Sequence, residues 1–222
     1  MLKITIGGCR KDRTNRRGTF SVAEMFSFRV PRDNGACPNP FWGVCTLAVC
    51  KPQIRKAAQV GDWIVATGST NAKITNGQCR NFSNRVVSAM YVTQRMTLQE
   101  YDSWCRVNLP DKFPQWHSRD LRKKVGDCLY DFSTGEPPRI REGVNGFDRL
   151  KRDMGGKYAL LSERFYYFGR SPRPLPTELL PIVIKGQGHK RIKDIALIGQ
   201  FEEWISRFEL NRVYDMPQQQ YL

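Results

Sequence analysis

The chain has 222 residues, 40% of them hydrophobic and 11% aromatic, which is enough for one domain with a real core and argues against wholesale disorder. Its formal net charge is +15, which favours a polyanionic partner, nucleic acid first, over the reading of a soluble basic protein with no such partner. It holds no apolar run of the roughly 18 residues that a membrane span requires, so no membrane partner is expected.

Residues 1–24 crowd Arg10, Lys11, Arg13, Arg16 and Arg17 into a polar run with no helical or strand period. The expectation is a flexible basic arm, either tracking phosphates or without a role, with Met25 as an alternative start. No apolar segment with a small-residue cleavage site precedes the domain, so no secretory signal is expected and a cytoplasmic location is. Phe26–Val30 alternates and predicts a first strand. Asn34–Ser69 is the stretch densest in ordered-domain signals. Asn34-Gly35 and the Cys37-Pro38-Asn39-Pro40 run are turn chemistry. Trp42–Cys50 is β-prone, Pro52 opens a short helix, and Gly61-Asp62 turns the chain into a strand over Trp63–Ala66 that Gly68-Ser69 ends.

A polar loop follows, then a strand over Arg85–Thr93. Thr97 with Glu100 three residues on predicts a capping box and a helix to Val107. Residues 110–146 read as a basic, loop-rich insertion with a short strand over Gly126–Phe132. Tyr158–Ser162 and Phe165–Phe168 are β-prone, a proline-rich loop spans Ser171–Pro181, and Ile182–Ile184 suggests one more strand. Lys185–Lys193 reads as a basic loop. Over Asp194–Leu210, Ile195, Ile198, Phe201, Ile205 and Phe208 recur at three- and four-residue intervals, so a core-facing helix is expected. The tail, 211–222, is expected to fray. Together these give one α+β domain over 25–210 around a mixed or antiparallel barrel-like sheet with flanking helices.

The seven cysteines are odd in number and form no CxxC pair, and His117 and His189 stand at no ligand spacing from them. Buried free thiols in a reducing cytoplasm are expected, with no metal and no cofactor. No G-x-G-x-x-G after a strand, no P-loop, no G-x-S-x-G and no zinc-deaminase pattern occurs.

CPNPFWGVCTLAVC, GDWIVATGS, RVVSAMYVT, KVGDCLYDF, LKRDMGGKYALLSERFYYFG and GQGH follow one another from about Phe26 to His189. These blocks resemble the nucleotide modification associated domain 2 family. More distantly, their order resembles the PUA-like group with its EVE and ASCH domains, which implies a small mixed β-barrel with a cleft into which a modified base is flipped. The family resemblance also implies a link to phage and bacterial systems that hypermodify DNA bases, and hence to antiviral defence.

A flipped base needs aromatic faces to replace its stacking and polar groups to read its edge. Phe41, Trp42, Trp63, Tyr130 and Tyr166 are the aromatic candidates; core packing is the competing role, and the stronger one for Phe41 and Trp63. Asp33, Asn39, Thr46 and Ser69 offer donors and acceptors at the mouth of the site. Lys51, Arg55, His189, Lys190 and Arg191 are placed on phosphates. Hydrolysis of the N-glycosidic bond of a modified base, in the manner of a DNA glycosylase, would use Asp33 or Asp127 as the carboxylate and Asn39 or His189 as the donor. The alternative is a reader of modified bases in DNA or RNA that performs no chemistry.

Overall fold

The computed structural model describes residues 23–144 and 149–219; the basic arm expected over 1–24 lies outside them up to residue 22. The chain is α+β. Strands β1 (Met25–Arg32), β2 (Cys45–Leu47), β3 (Trp63–Lys73), β4 (Cys79–Arg80), β5 (Arg85–Tyr91) and β6 (Gln94–Thr97) precede a middle region. That region holds β7 (Tyr130–Asp131) and β8 (Arg139–Ile140). Then come β9 (Tyr158–Ser162), β10 (Arg164–Tyr167), β11 (Arg173–Pro174), β12 (His189–Ile192) and β13 (Arg212–Val213). The helices are α1 (Pro52–Ala57), α2 (Leu98–Asn108), α3 (Leu121–Lys124), α4 (Leu150–Met154) and α5 (Ile195–Ile205).

The main sheet runs β12-β1-β3-β5-β10-β13, with β4 added to β3 and β11 to β5. β1 and β3 are parallel, with Met25 opposite Trp63, while β3–β5 and β5–β10 are antiparallel. A parallel pair demands a crossover, and the turn-rich stretch after residue 33 supplies it, carrying β2 and α1 across one face of the sheet.

Side-chain alternation decides what each face meets. Phe26, Phe28, Ile64, Ala66, Met90, Phe165 and Tyr167 point to the face covered by β2, α1 and β9. Trp63, Val65, Ala89, Tyr166 and Phe168 point to the other, covered by Ile198, Phe201, Trp204 and Ile205 of α5. Trp63 lies edge-on to Phe201 at 5.5 Å between ring centroids, and its indole N–H donates to Glu202 at 2.7 Å. A smaller sheet, β2-β9-β6, shields a third apolar cluster against α2, which includes Leu98, Tyr101 and Leu129.

The barrel expected from the sequence is not closed among the described residues: β12 pairs only with β1 and β13 only with β10. Both faces of the sheet are already buried by other layers, so closure is not needed to exclude water. The edges are four and two residues long and carry Lys190, Arg191 and Arg212, which discourages further pairing.

Other local expectations shift. β3 runs past Gly68-Ser69 to Lys73, the β-prone Trp42–Cys50 segment pairs only over Cys45–Leu47, and Gly126–Phe132 only over Tyr130–Asp131. The Ile182–Ile184 strand is instead the end of a 3-10 helix over Thr177–Ile182, and the basic loop 185–193 contains β12. The tail does not fray at its start: Pro217 and Gln218 are buried, and the Gln218 side chain donates to the Gly169 carbonyl at 3.0 Å. Among the described residues no helix is long and apolar enough to cross a membrane.

Candidate functional site

A pocket of 770 Å³ opens at the carboxyl end of β1. Phe28, Val30 and Arg32 line it from β1, and Asn34, Ala36 and Cys37 from the start of the crossover. The corner before α1 contributes Cys50, Lys51, Pro52, Gln53 and Ile54, α4 and the residue before it contribute Arg152 and Arg149, and the turn into β12 contributes Gln187, Gly188 and His189. Arg32 of β1, Lys51 before α1, and Arg149 and Arg152 at α4 therefore converge on one space, and no Asp or Glu lines it among the described residues. Such a site attracts an anion. His189 does not add to the charge at neutral pH, because burial, Lys51 and Arg191 all hold its pKa below the usual histidine value.

One buried carboxylate organises two of these walls. Asp153, fully buried, accepts the Cys50 amide at 2.9 Å and the Tyr130 hydroxyl at 2.9 Å. The Cys50 amide bond fixes a corner in which Cys50 and Lys51 are both left-handed, with φ of 57° and 41°, a conformation non-glycine residues adopt only when their surroundings hold them there. Asp153 also lies 3.4 Å from Arg152 Nε. Arg55 completes the arrangement from beneath: its guanidinium donates to the carbonyls of Cys50, Tyr158 and Asp153. Gly156 is required beside it, since a Cβ there would sit 2.5 Å from the Arg55 guanidinium carbon.

Of the residues singled out in the sequence, Lys51 and His189 line this pocket. Arg55, expected on phosphates, is fully buried and spent on backbone, and burial pulls its pKa down. Lys190 points its ammonium at the Pro181 carbonyl, and Arg191 pairs with Glu24. Asp33 is buried behind the wall, between pocket-lining neighbours. Its Oδ1 accepts from Tyr167 Oη at 2.7 Å and from the Gly35 amide at 3.2 Å. Burial pushes its pKa up to about 6, against those two donors and the Gln218 amide.

Asn39 and Asp127 belong to a second buried network. Lys112, fully buried, donates to Asn39 Oδ1 at 2.7 Å, and Thr46 and Tyr101 donate to Asp127 at 2.7 and 2.8 Å. Burial raises the Asp127 pKa and lowers that of Lys112, while each charge opposes the other's shift. The three catalytic candidates are thus split between two hydrogen-bond networks, and none lines the pocket. Trp63 and Tyr166 pack against α5, and Phe41 packs with Ala36 and Val125. Trp42 lies under the Arg122 guanidinium at 5.1 Å, the Ser69 hydroxyl accepts the Asn71 amide, and Tyr130 serves Asp153.

Arg32, Asn34, Gln53, Arg149, Arg152 and Gln187 are pocket residues that sequence reasoning missed. Two signals for them were present. Arg32 continues the period of two set by Phe28 and Val30, and Arg149 and Arg152 stand three apart, on one side of a helical turn. Gln53, Asn34 and Gln187 carry no such mark.

The family model described as nucleotide modification associated domain 2 matches residues 22–222, reaching beyond His189 through α5 and the tail. No curated protein and no solved structure matches the chain.

Proposed function

The chain belongs to the nucleotide modification associated domain 2 family, and we propose that its pocket grips a modified nucleotide presented by a nucleic acid, as a reader that performs no chemistry on it. The observation that carries this reading is the convergence of Arg32, Lys51, Arg149 and Arg152 on one 770 Å³ space with no lining carboxylate among the described residues. The volume falls within the range of ordinary small-molecule sites. Arg32 and Arg152 are exposed and suit the sequence-independent phosphate contacts that position a strand. The amides of Asn34, Gln53 and Gln187 suit a base edge, and the net charge of +15 suits DNA or RNA as the larger partner.

The hydrolytic reading has less support. A glycosylase needs a carboxylate within reach of the sugar. Asp33 lies behind the pocket wall with its Oδ1 turned inward to Tyr167 and Gly35, Asp127 is held by Thr46 and Tyr101, and Asp153 is held by the Cys50 amide and Tyr130.

Fluorescence anisotropy on duplexes differing only by one 5-substituted pyrimidine, at matched salt, tests the proposal. Tighter binding to a modified duplex is expected. Arg152→Ala is expected to weaken all duplexes alike and to lower the slope of log affinity against log salt by about 1. Equal affinity for every duplex removes the reader. Abasic sites that form with the wild type and vanish in Asp33→Ala restore the glycosylase.

A further inference from the structure

We infer that the base taken by this pocket carries an anionic substituent, and that the Lys51 ammonium is the group that meets it. The inference rests on the reading of the pocket as a nucleotide site and names what that site selects.

Lys51 differs from the other cations of the pocket. Arg32 and Arg152 are exposed, whereas Lys51 is partly buried in the wall. Arg152 shares the Asp153 carboxylate. Lys51 has no acidic partner among the described residues; its Nζ lies 4.4 Å from the centre of the Phe28 ring. The charged groups that share the pocket with it are Arg32, Arg149 and Arg152, all of its own sign. A partly desolvated ammonium surrounded by like charge calls for a counter-ion. The aromatic face gives it some stabilisation, and an anionic oxygen on a ligand would give the rest through a charge-assisted hydrogen bond.

The backbone supports the same assignment. Two successive left-handed non-glycine residues, with Lys51 at φ 41° and ψ 48°, are held there with the buried Asp153 accepting the Cys50 amide. This costly corner aims the Lys51 stem across Phe28 into the pocket. A neutral substituent such as a hydroxymethyl group would be served by the amides of Asn34, Gln53 or Gln187 and would leave the ammonium uncompensated. A carboxylate or phosphoryl group on the base compensates it.

The test uses one duplex sequence with cytosine, 5-hydroxymethylcytosine or 5-carboxylcytosine at a single position, measured at matched salt and at pH 7.5 or above, where the carboxylate is charged. The wild type is expected to bind the carboxyl duplex ~10-fold more tightly than the hydroxymethyl one. Lys51→Met keeps the apolar stem over Phe28 and removes the charge; it should bring the ratio of carboxyl to hydroxymethyl affinity to about one, whatever its effect on binding in general, and Lys51→Arg should restore the preference. Unchanged thermal unfolding of Lys51→Met guards against a folding defect. If the hydroxymethyl and carboxyl duplexes bind equally but both better than cytosine, the anionic preference is wrong and the reader stands. Equal binding of all three removes both. A preference for the carboxyl duplex that survives Lys51→Met overturns the assignment to Lys51.

Discussion

Asp33 shows how burial changes what a single side chain offers. A carboxylate in a turn at the mouth of a strand looks catalytic, yet here it is a buried group whose Oδ1 holds the Tyr167 hydroxyl and the Gly35 amide. Its folded pKa of about 6 stands above the ordinary value of 3.8. The neutral form therefore favours the fold. That stabilisation is fully present below about pH 4 and is lost as pH rises through about 6, a change on the order of 3 kcal/mol. The stability of the wild type relative to Asp33→Asn, from urea denaturation between pH 4 and 7.5, should fall by about that amount as pH rises. A flat difference would show that Asp33 titrates as it does in the unfolded chain. Arg55 teaches the same lesson with the opposite charge: spacing put it one turn from Lys51, and burial turned it from a phosphate ligand into a strut.

Helices α1, α2 and α5 were legible, whereas the short α3 and α4 were not. Thr97 and Glu100 form the capping box expected of them: the Thr97 hydroxyl accepts the Glu100 amide, and the Glu100 carboxylate accepts the Thr97 amide at 2.7 Å. The contact is local in sequence, so no distant residue is needed to read it. Thr97→Ala should lower stability by about 1 kcal/mol in chemical denaturation, with no change in nucleic-acid affinity. α5 was legible in part: Ile198, Phe201 and Ile205 mark its buried face by spacing, but the helix ends at Ile205, short of Phe208, and Ile195 is exposed. Strands fared less well. Trp42–Cys50 has the composition of a long strand, but its partners β9 and Asn39 are supplied by other parts of the chain, and they pair with it over only a few residues. β12 was missed because its residues, His189 to Ile192, are basic; a four-residue edge strand needs a partner, not an apolar pattern.

At the scale of the molecule, the tail ties distant parts together. The Arg170 amide donates to the Met216 carbonyl, the Thr75 amide to the Gln218 carbonyl, and the Gln219 amide to the Asp33 carbonyl. Truncation after Asp215 removes these bonds and exposes the cavity filled by Pro217 and Gln218. It should destabilise the fold by several kcal/mol, visible as a lowered midpoint of thermal unfolding, since each buried group left unpaired costs about 1–3 kcal/mol. An unshifted midpoint would mean that the tail only rests on the surface.

Composition and periodicity by themselves determined the α+β class, the basic character, the capped helix α2, the core-facing helix α5 and the stretch of chain, residues 34–69, from which much of the pocket wall is drawn. These properties are local or additive, so they survive being read along a line. Only the tertiary structure decided which side chains face that pocket. Asp33 and its neighbours Arg32 and Asn34 are adjacent in sequence, and one turns to Tyr167 while the other two turn to the pocket. Arg149 and Arg152 meet Lys51 from about a hundred residues away, because the parallel pairing of β1 with β3 throws the crossover over the sheet and brings α4 against its far corner. Burial also separated Arg55 and Asp127 from solvent, and with it from any ligand. Charge and hydrogen-bonding capacity are written in the sequence; desolvation and direction are properties of packing.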